Sequence, residues 1–136
     1  MTLGLDEIKP GAVAILDSAA LFSDPEITTT EGPQSGMRPF VCVRVEGEDS
    51  IWLKITTQWS KPRLCLNAWK VPGSDTWMHD NQYLQDARKH FSGPNSSFIT
   101  ASANELLHQP HDRPSIGEEG VQAISDEIRK YKAPWF

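Results

Sequence analysis

Hydrophobic positions alternate with a period of two through the middle of the chain and switch to a helical period towards its end. Residues 40–46 read F-V-C-V-R-V-E, residues 47–50 read G-E-D-S, and residues 51–57 read I-W-L-K-I-T-T. Two alternating runs around a turn-rich tetrapeptide predict an antiparallel hairpin. Upstream, K-P-G-A-V-A-I-L-D (9–17) predicts a turn and a short buried strand, and R-L-C-L-N-A-W (63–69) predicts a further strand. Residues 18–39 between them are polar and turn-rich, and a connection of that length in a compact domain is usually functional or disordered. Beyond residue 72 the spacing of Tyr83, Leu84, Ala87 and Phe91 predicts a helix over about 79–91, closed by Gly93 and Pro94. S-F-I-T-A-S-A (97–103) reads as a strand and N-E-L-L-H (104–108) as a short one. A last helix over about 117–131 carries Val121, Ile124, Ile128 and Tyr131 as its apolar stripe, and the tail A-P-W-F is expected to pack back on the body. The fold class is mainly β with helices (α+β): a small curled sheet or barrel with a C-terminal helix and one helical insertion.

Alternation also assigns faces. Val41, Val43 and Val45 share one side of the hairpin with Ile51, Leu53 and Ile55. Arg38, Arg44, Lys54 and Thr56 then fall on the other side with Cys42 and Trp52. If the aliphatic side is the core, the opposite side is a small polar, basic platform. Two readings of it stand: Arg38 caps the loop before Pro39 through its donors, or it is the working end of a site.

Charge sharpens that choice. The formal net charge is −5, which argues against a general nucleic-acid binder. Yet residues 37–70 hold six bases (Arg38, Arg44, Lys54, Lys61, Arg63, Lys70) against three acids, while residues 1–36 hold six acids and only Lys9. A local basic site on an acidic body fits phosphate recognition at one place. The 136 residues fit one domain, 1–136, able to bury a core without disulfides or metal. No apolar run reaches the roughly 18 residues of a membrane span, and M-T-L-G-L-D-E-I-K has no signal-peptide character, so a cytoplasmic location is expected. Cys42 and Cys65 lie in apolar runs and read as buried free thiols. His79, His90, His108 and His111 make no tight metal motif, although His108, His111 and Asp112 share one loop; no metal or cofactor is expected. There is no phosphate-binding loop and no G-x-S-x-G elbow.

The order of short motifs adds a resemblance. G-A-V-A-I-L-D (11–17), then Q-S-G-M-R-P-F-V-C-V (34–43), then I-T-T-Q-W-S-K-P (55–62) is similar to the PemK/MazF family of toxin endoribonucleases. S-F-I-T-A-S-A-N-E-L-L-H followed by I-G-E-E-G-V-Q-A-I-S-D-E-I resembles that family's ending, which leaves about 72–95 as an insertion. The resemblance implies an SH3-like barrel, a homodimer, that cleaves single-stranded RNA without metal and is held by a cognate antitoxin. Arg38 matches the family's R-P arginine and Thr56 the first threonine of T-T-Q, the pair acting at the scissile phosphate. Where some members carry a glutamate before the loop glutamine this chain has Pro33, and Glu31, two residues earlier, is the candidate general base. Lys54, Gln34, Gln58, Trp59 and Lys61 are the candidate substrate contacts, with Trp59 placed to stack on a base.

Two other classes compete with this one. A non-catalytic module on the same barrel would hold nucleic acid or a protein segment. A structural or phage-type accessory domain would present Trp59, Trp77, Trp135 and Phe136 to a protein partner.

Overall fold

The computed structural model describes residues 3–33, 35–73, 75–105 and 113–136, with Asp75 described by its backbone only. In chain order these form β1 (Val13–Asp17), α1 (Ser18–Ser23), β2 (Thr28–Thr29), β3 (Met37–Glu46), β4 (Asp49–Thr56) and β5 (Lys70–Val71). There follow α2 (Asp75–His79), β6 (Tyr83–Leu84), β7 (Phe91–Pro94), α3 (Asn95–Ala101), β8 (Ser115–Ile116) and α4 (Glu118–Lys130). The fold is mixed α+β around a mostly antiparallel sheet ordered β1-β3-β4-β7-β2, with β6 paired to the far end of β4 and a separate β5–β8 ribbon. Among the described residues the two ends of the sheet, β1 and β2, do not pair with each other.

The predicted hairpin is present as β3–β4, but its faces divide differently from the expectation. Alternation is real, and both sides are apolar. Phe40, Cys42 and Trp52 are fully buried on one side with Leu16, Phe91 and Phe98. Val41, Val43, Leu53 and Ile55 are buried on the other with Leu84, Ile124 and Ile128 of α4. Aromatic geometry marks the first core: Phe40 meets Phe91 edge-on at 5.3 Å and Trp52 lies 5.5 Å from Phe98. The supposed outer platform is therefore mostly a second core, and only its open end stays polar. A bulge between Cys42 and Arg44 turns Arg44 away from that end. Its Nη1 donates to the Phe136 carbonyl at 2.6 Å, and its guanidinium lies 3.8 Å from the Phe136 ring.

Several local readings are overturned. The helix expected over 79–91 is absent: α2 ends at His79, and the chain then runs extended, with Leu84 N donating to Leu64 O and Ile55 pairing with Leu84. The spacing misled because the apolar residues serve different cores, Leu84 and Ala87 the aliphatic one and Phe91 the aromatic one. Conversely, the strand expected at 97–103 is α3, which starts after Pro94 and buries Phe98 and Ala101 one helical step apart. The start of N-E-L-L-H is not strand, and residues 106–108 lie outside the described residues. Within the 18–39 connection, α1 is capped by Asp17, whose Oδ1 accepts from Ala20 N at 3.1 Å. Of the run at 63–69, Cys65 makes a single bridge to Tyr83 and a short 3₁₀ turn follows. Cys65 is exposed, contrary to expectation, whereas Cys42 is buried and its thiol is pushed up to about 12 by desolvation.

The edge of the sheet at β1 is closed by a buried ion pair. Glu105 Oε2 accepts from Ile15 N at 2.6 Å and from Arg113 Nη1 at 2.8 Å, and the same Nη1 donates to Val13 O at 3.1 Å. These groups occupy ladder positions that an unpaired edge strand would expose. The C-terminal helix α4 packs its Ile124–Ile128 stripe inward, close to the sequence expectation. Gly120 sits so near Trp69 that an added Cβ would come within 2.5 Å of the Trp69 Cβ.

Trp52→Ala is expected to lower unfolding free energy by about 3–5 kcal/mol, because it opens a cavity in the aromatic core. Trp59→Ala, at a side chain left 68% exposed, should leave stability within about 0.5 kcal/mol. Urea denaturation of both variants checks the contrast.

Candidate active site

The two cores end at one mouth of the β3–β4 hairpin, and there the ladder places polar side chains where apolar ones would otherwise sit. The β3–β4 ladder ends at the pair Phe40–Lys54, beyond which Arg38 pairs with Leu16 of β1 and Thr56 with Tyr83 of β6. Arg38, Lys54 and Thr56 thus share the ladder side whose inner positions are Phe40, Cys42 and Trp52. Arg38 is exposed and pairs with Leu16 of β1, while its Nη1 donates to the Met37 carbonyl at 3.3 Å. Gly36 turns the chain into β3 with φ +83°, a left-handed conformation natural to glycine. Its carbonyl accepts from Ser18 N at 3.1 Å, and a Cβ there would stand 3.3 Å from Arg38 Nη1. The glycine of Q-S-G-M-R-P therefore both makes the turn and leaves room for the guanidinium.

Thr56 closes β4, half-buried, with its backbone paired to Tyr83. Its Oγ1 accepts from Gln58 N at 3.2 Å, which leaves the hydroxyl proton available to donate outward. Lys54 is only 7% exposed, and its carbonyl accepts from Gln85 N at 3.0 Å. Burial holds its ammonium below the ordinary lysine pKa, with the negative charge of Glu31 opposing that shift and the positive charge of Arg38 adding to it. Arg38, Lys54 and Glu31 thus share one electrostatic neighbourhood. Gln34 lies outside the described residues.

Gln58, Trp59 and Lys61 follow Thr56 in an exposed loop. Arg63 ties that loop down, donating from Nη1 to Gln58 O at 2.8 Å and from Nε to Gln85 O at 3.0 Å. Lys61 and Arg63 line a cleft of about 170 Å³ that also includes Arg88 and Tyr131. Among the described residues no hydrogen bond or ion pair brings the side chain of Trp59 or Lys61 onto Arg38 or Thr56. Of the other tryptophans considered for a protein contact, Trp77 is buried, and Trp135 and Phe136 pack against the body.

Sequence reasoning missed the strut that fixes the Glu31 turn. Thr29 Oγ1 donates to His90 O at 2.8 Å and accepts from Glu31 N at 3.0 Å. Thr30 Oγ1 accepts from His90 N at 2.9 Å and is hydrogen-bonded to His90 Nδ1 at 3.1 Å. Trp135 stacks on the His90 ring at 4.2 Å and 3°. The run T-T-T hinted at hydroxyl-made turns, but nothing local identified a partner sixty residues away. The segment at 72–95, expected as a helical insertion, contributes this anchor through β7 and the residues before it.

The groups at the mouth supply two positive charges, a hydroxyl donor and a carboxylate, which suit an anionic ligand gathering charge on its oxygens. Among the described residues no cluster of three His, Cys, Asp or Glu could hold a metal, and His108, His111 and Asp112 lie outside them. Compared with protein-family models, curated proteins and solved structures, the chain matches none.

Burial lowers the His90 imidazole from its ordinary 6.5 to about 4. Folding therefore favours the neutral ring, and the stability this represents is complete above pH 6.5. It is lost as pH falls towards 4, by about 3 kcal/mol in all. In His90→Phe the part of the acid-side decline due to one proton taken up between those pH values should vanish. Urea titrations from pH 7 to pH 4 on both proteins measure it.

Proposed function

We propose that this chain is a metal-independent endoribonuclease of the PemK/MazF kind. In this reading it is the toxin of a toxin–antitoxin pair, held inactive by its cognate antitoxin and working as a homodimer on an SH3-like barrel. The observation that carries the proposal is the placement of Arg38, Lys54 and Thr56 on one side of the hairpin end, with the charges of Arg38 and Glu31 acting on Lys54. The ordered sequence motifs supply the family, and the antiparallel sheet with a C-terminal helix is compatible with its barrel.

The residue types suit the chemistry. RNA cleavage without a metal needs the 2′-hydroxyl to lose its proton and attack the adjacent phosphorus while the 5′-oxygen departs. Arg38 would hold two phosphate oxygens in a bidentate fork and offset the charge that builds on them. Thr56, its oxygen already occupied by Gln58 N–H, would give its proton to a third. Lys61 and the exposed Trp59, in the loop after Thr56, would draw in and stack on the strand, with Gln58 beside them. The overall acidity of the chain restricts such attraction to this one region, which favours a short recognition segment.

In buffer containing EDTA, purified wild-type protein is expected to cut single-stranded RNA. Arg38→Ala should reduce kcat about 100- to 1,000-fold and Thr56→Val by a smaller factor, with melting temperatures unchanged. RNA binding with no cutting by wild type would instead support a non-catalytic module.

A further inference from the structure

The unassigned role at this mouth is that of the proton acceptor. Arg38 offers donors and no acceptor, and the Thr56 oxygen is engaged with the Gln58 amide. The sequence offered Glu31, which sits on the strutted turn. The structure offers another candidate. Lys54 and Arg113 are the two cations most removed from solvent among the described residues, and their settings differ. Arg113 is locked in ion pairs with Glu105 at 2.8 Å and Glu7 at 3.1 Å at the outer edge of β1. Lys54 is nearly buried, across the ladder from Phe40 and two residues before Thr56, and the charges of Glu31 and Arg38 act on its amine. A purely attractive lysine would gain nothing from such burial, since a solvated ammonium on the rim attracts RNA as well at lower cost. Burial beside a second cation works against the charged form of the amine.

We infer that Lys54 is the catalytic base and that Glu31 is a positioning residue acting through it; the inference rests on the ribonuclease reading above. The neutral Lys54 Nζ takes the proton of the 2′-hydroxyl, and the 2′-oxygen forms a bond to phosphorus. The bond from phosphorus to the 5′-oxygen breaks, its electron pair leaves with that oxygen, and the oxygen takes a proton from water. The products are a 2′,3′-cyclic phosphate and a 5′-hydroxyl, and the Lys54 ammonium returns its proton to solvent. No oxidant, metal or second substrate enters. The charged groups facing Lys54 are Glu31 from the turn after β2 and Arg38 from β3.

The test is the pH dependence of cleavage of a mixed-sequence single-stranded RNA oligonucleotide by wild type, K54M, K54R and E31Q. Thermal melts establish that each is folded, and K54M replaces the buried amine by an apolar chain of similar length. K54M should lose about 100-fold or more in kcat. K54R should lose as much, because its guanidinium keeps the charge and accepts no proton. In E31Q the rising limb of the profile should move to lower pH, since an opposing negative charge has been removed from beside the amine. Cleavage retained by K54R would show that Lys54 supplies charge alone, and loss of cleavage in E31Q at every pH would return the base role to Glu31. Either result overturns the inference and leaves the ribonuclease reading standing. No cleavage by wild type would overturn both.

Discussion

A β-hairpin buried on both faces can be held in one register by shape alone, and the candidate site depends on that. Phe40 and Trp52 fill an aromatic core with Phe91 and Phe98, while Val41, Leu53 and Ile55 fill an aliphatic one under α4. A slip of one residue would exchange the two sets. Aromatic rings would then have to fit the aliphatic space, which close-packed interiors do not tolerate. The rung of Phe40 and Lys54 is therefore fixed, and with it the step at which Arg38 and Thr56 emerge from the protein. The rest of the fold supports this rung. β6 pairs with the last residues of β4, α4 covers the aliphatic side, and the Glu105–Arg113 pair closes the outer edge of β1, the strand against which Arg38 lies.

Lys54 stands where the two-sided core gives way to solvent, so its side chain continues the buried file of Phe40 and Trp52 while its amine belongs to the polar mouth. The turn bearing Glu31 is held by a different part of the chain, through hydroxyl contacts to the residues around His90 and the Trp135 stack above them. Two sources of order thus converge on the site. One is the hairpin register, which fixes Arg38, Lys54 and Thr56. The other is the 88–92 region, which fixes the acid.

How much of this was legible in the sequence follows from the range of the interactions involved. Strand alternation is local, so the hairpin, the first strand and the amphipathic α4 could be read with bounds close to those observed. The grouping of Arg38, Lys54 and Thr56 followed from the same alternation. What alternation cannot give is whether the second face meets solvent, because that depends on Phe91 and Phe98 arriving from elsewhere in the chain. For that reason alternation puts Lys54 on an outer platform although it is nearly buried, and groups Arg44 with it although a bulge takes it to Phe136. The false helix at 79–91 has the same origin, since residues spaced for one helical face serve two separate cores.

The central claim is that the hairpin mouth uses the substrate's own 2′-hydroxyl as nucleophile. The most direct measurement offers the wild-type protein, in EDTA, a single-stranded RNA oligonucleotide and its 2′-deoxy counterpart of the same base sequence, and identifies the new ends by mass spectrometry. The account predicts that the RNA is cut to a 2′,3′-cyclic phosphate and a 5′-hydroxyl while the deoxy strand stays intact. Cutting of both strands, or RNA products carrying a 5′-phosphate, would contradict it.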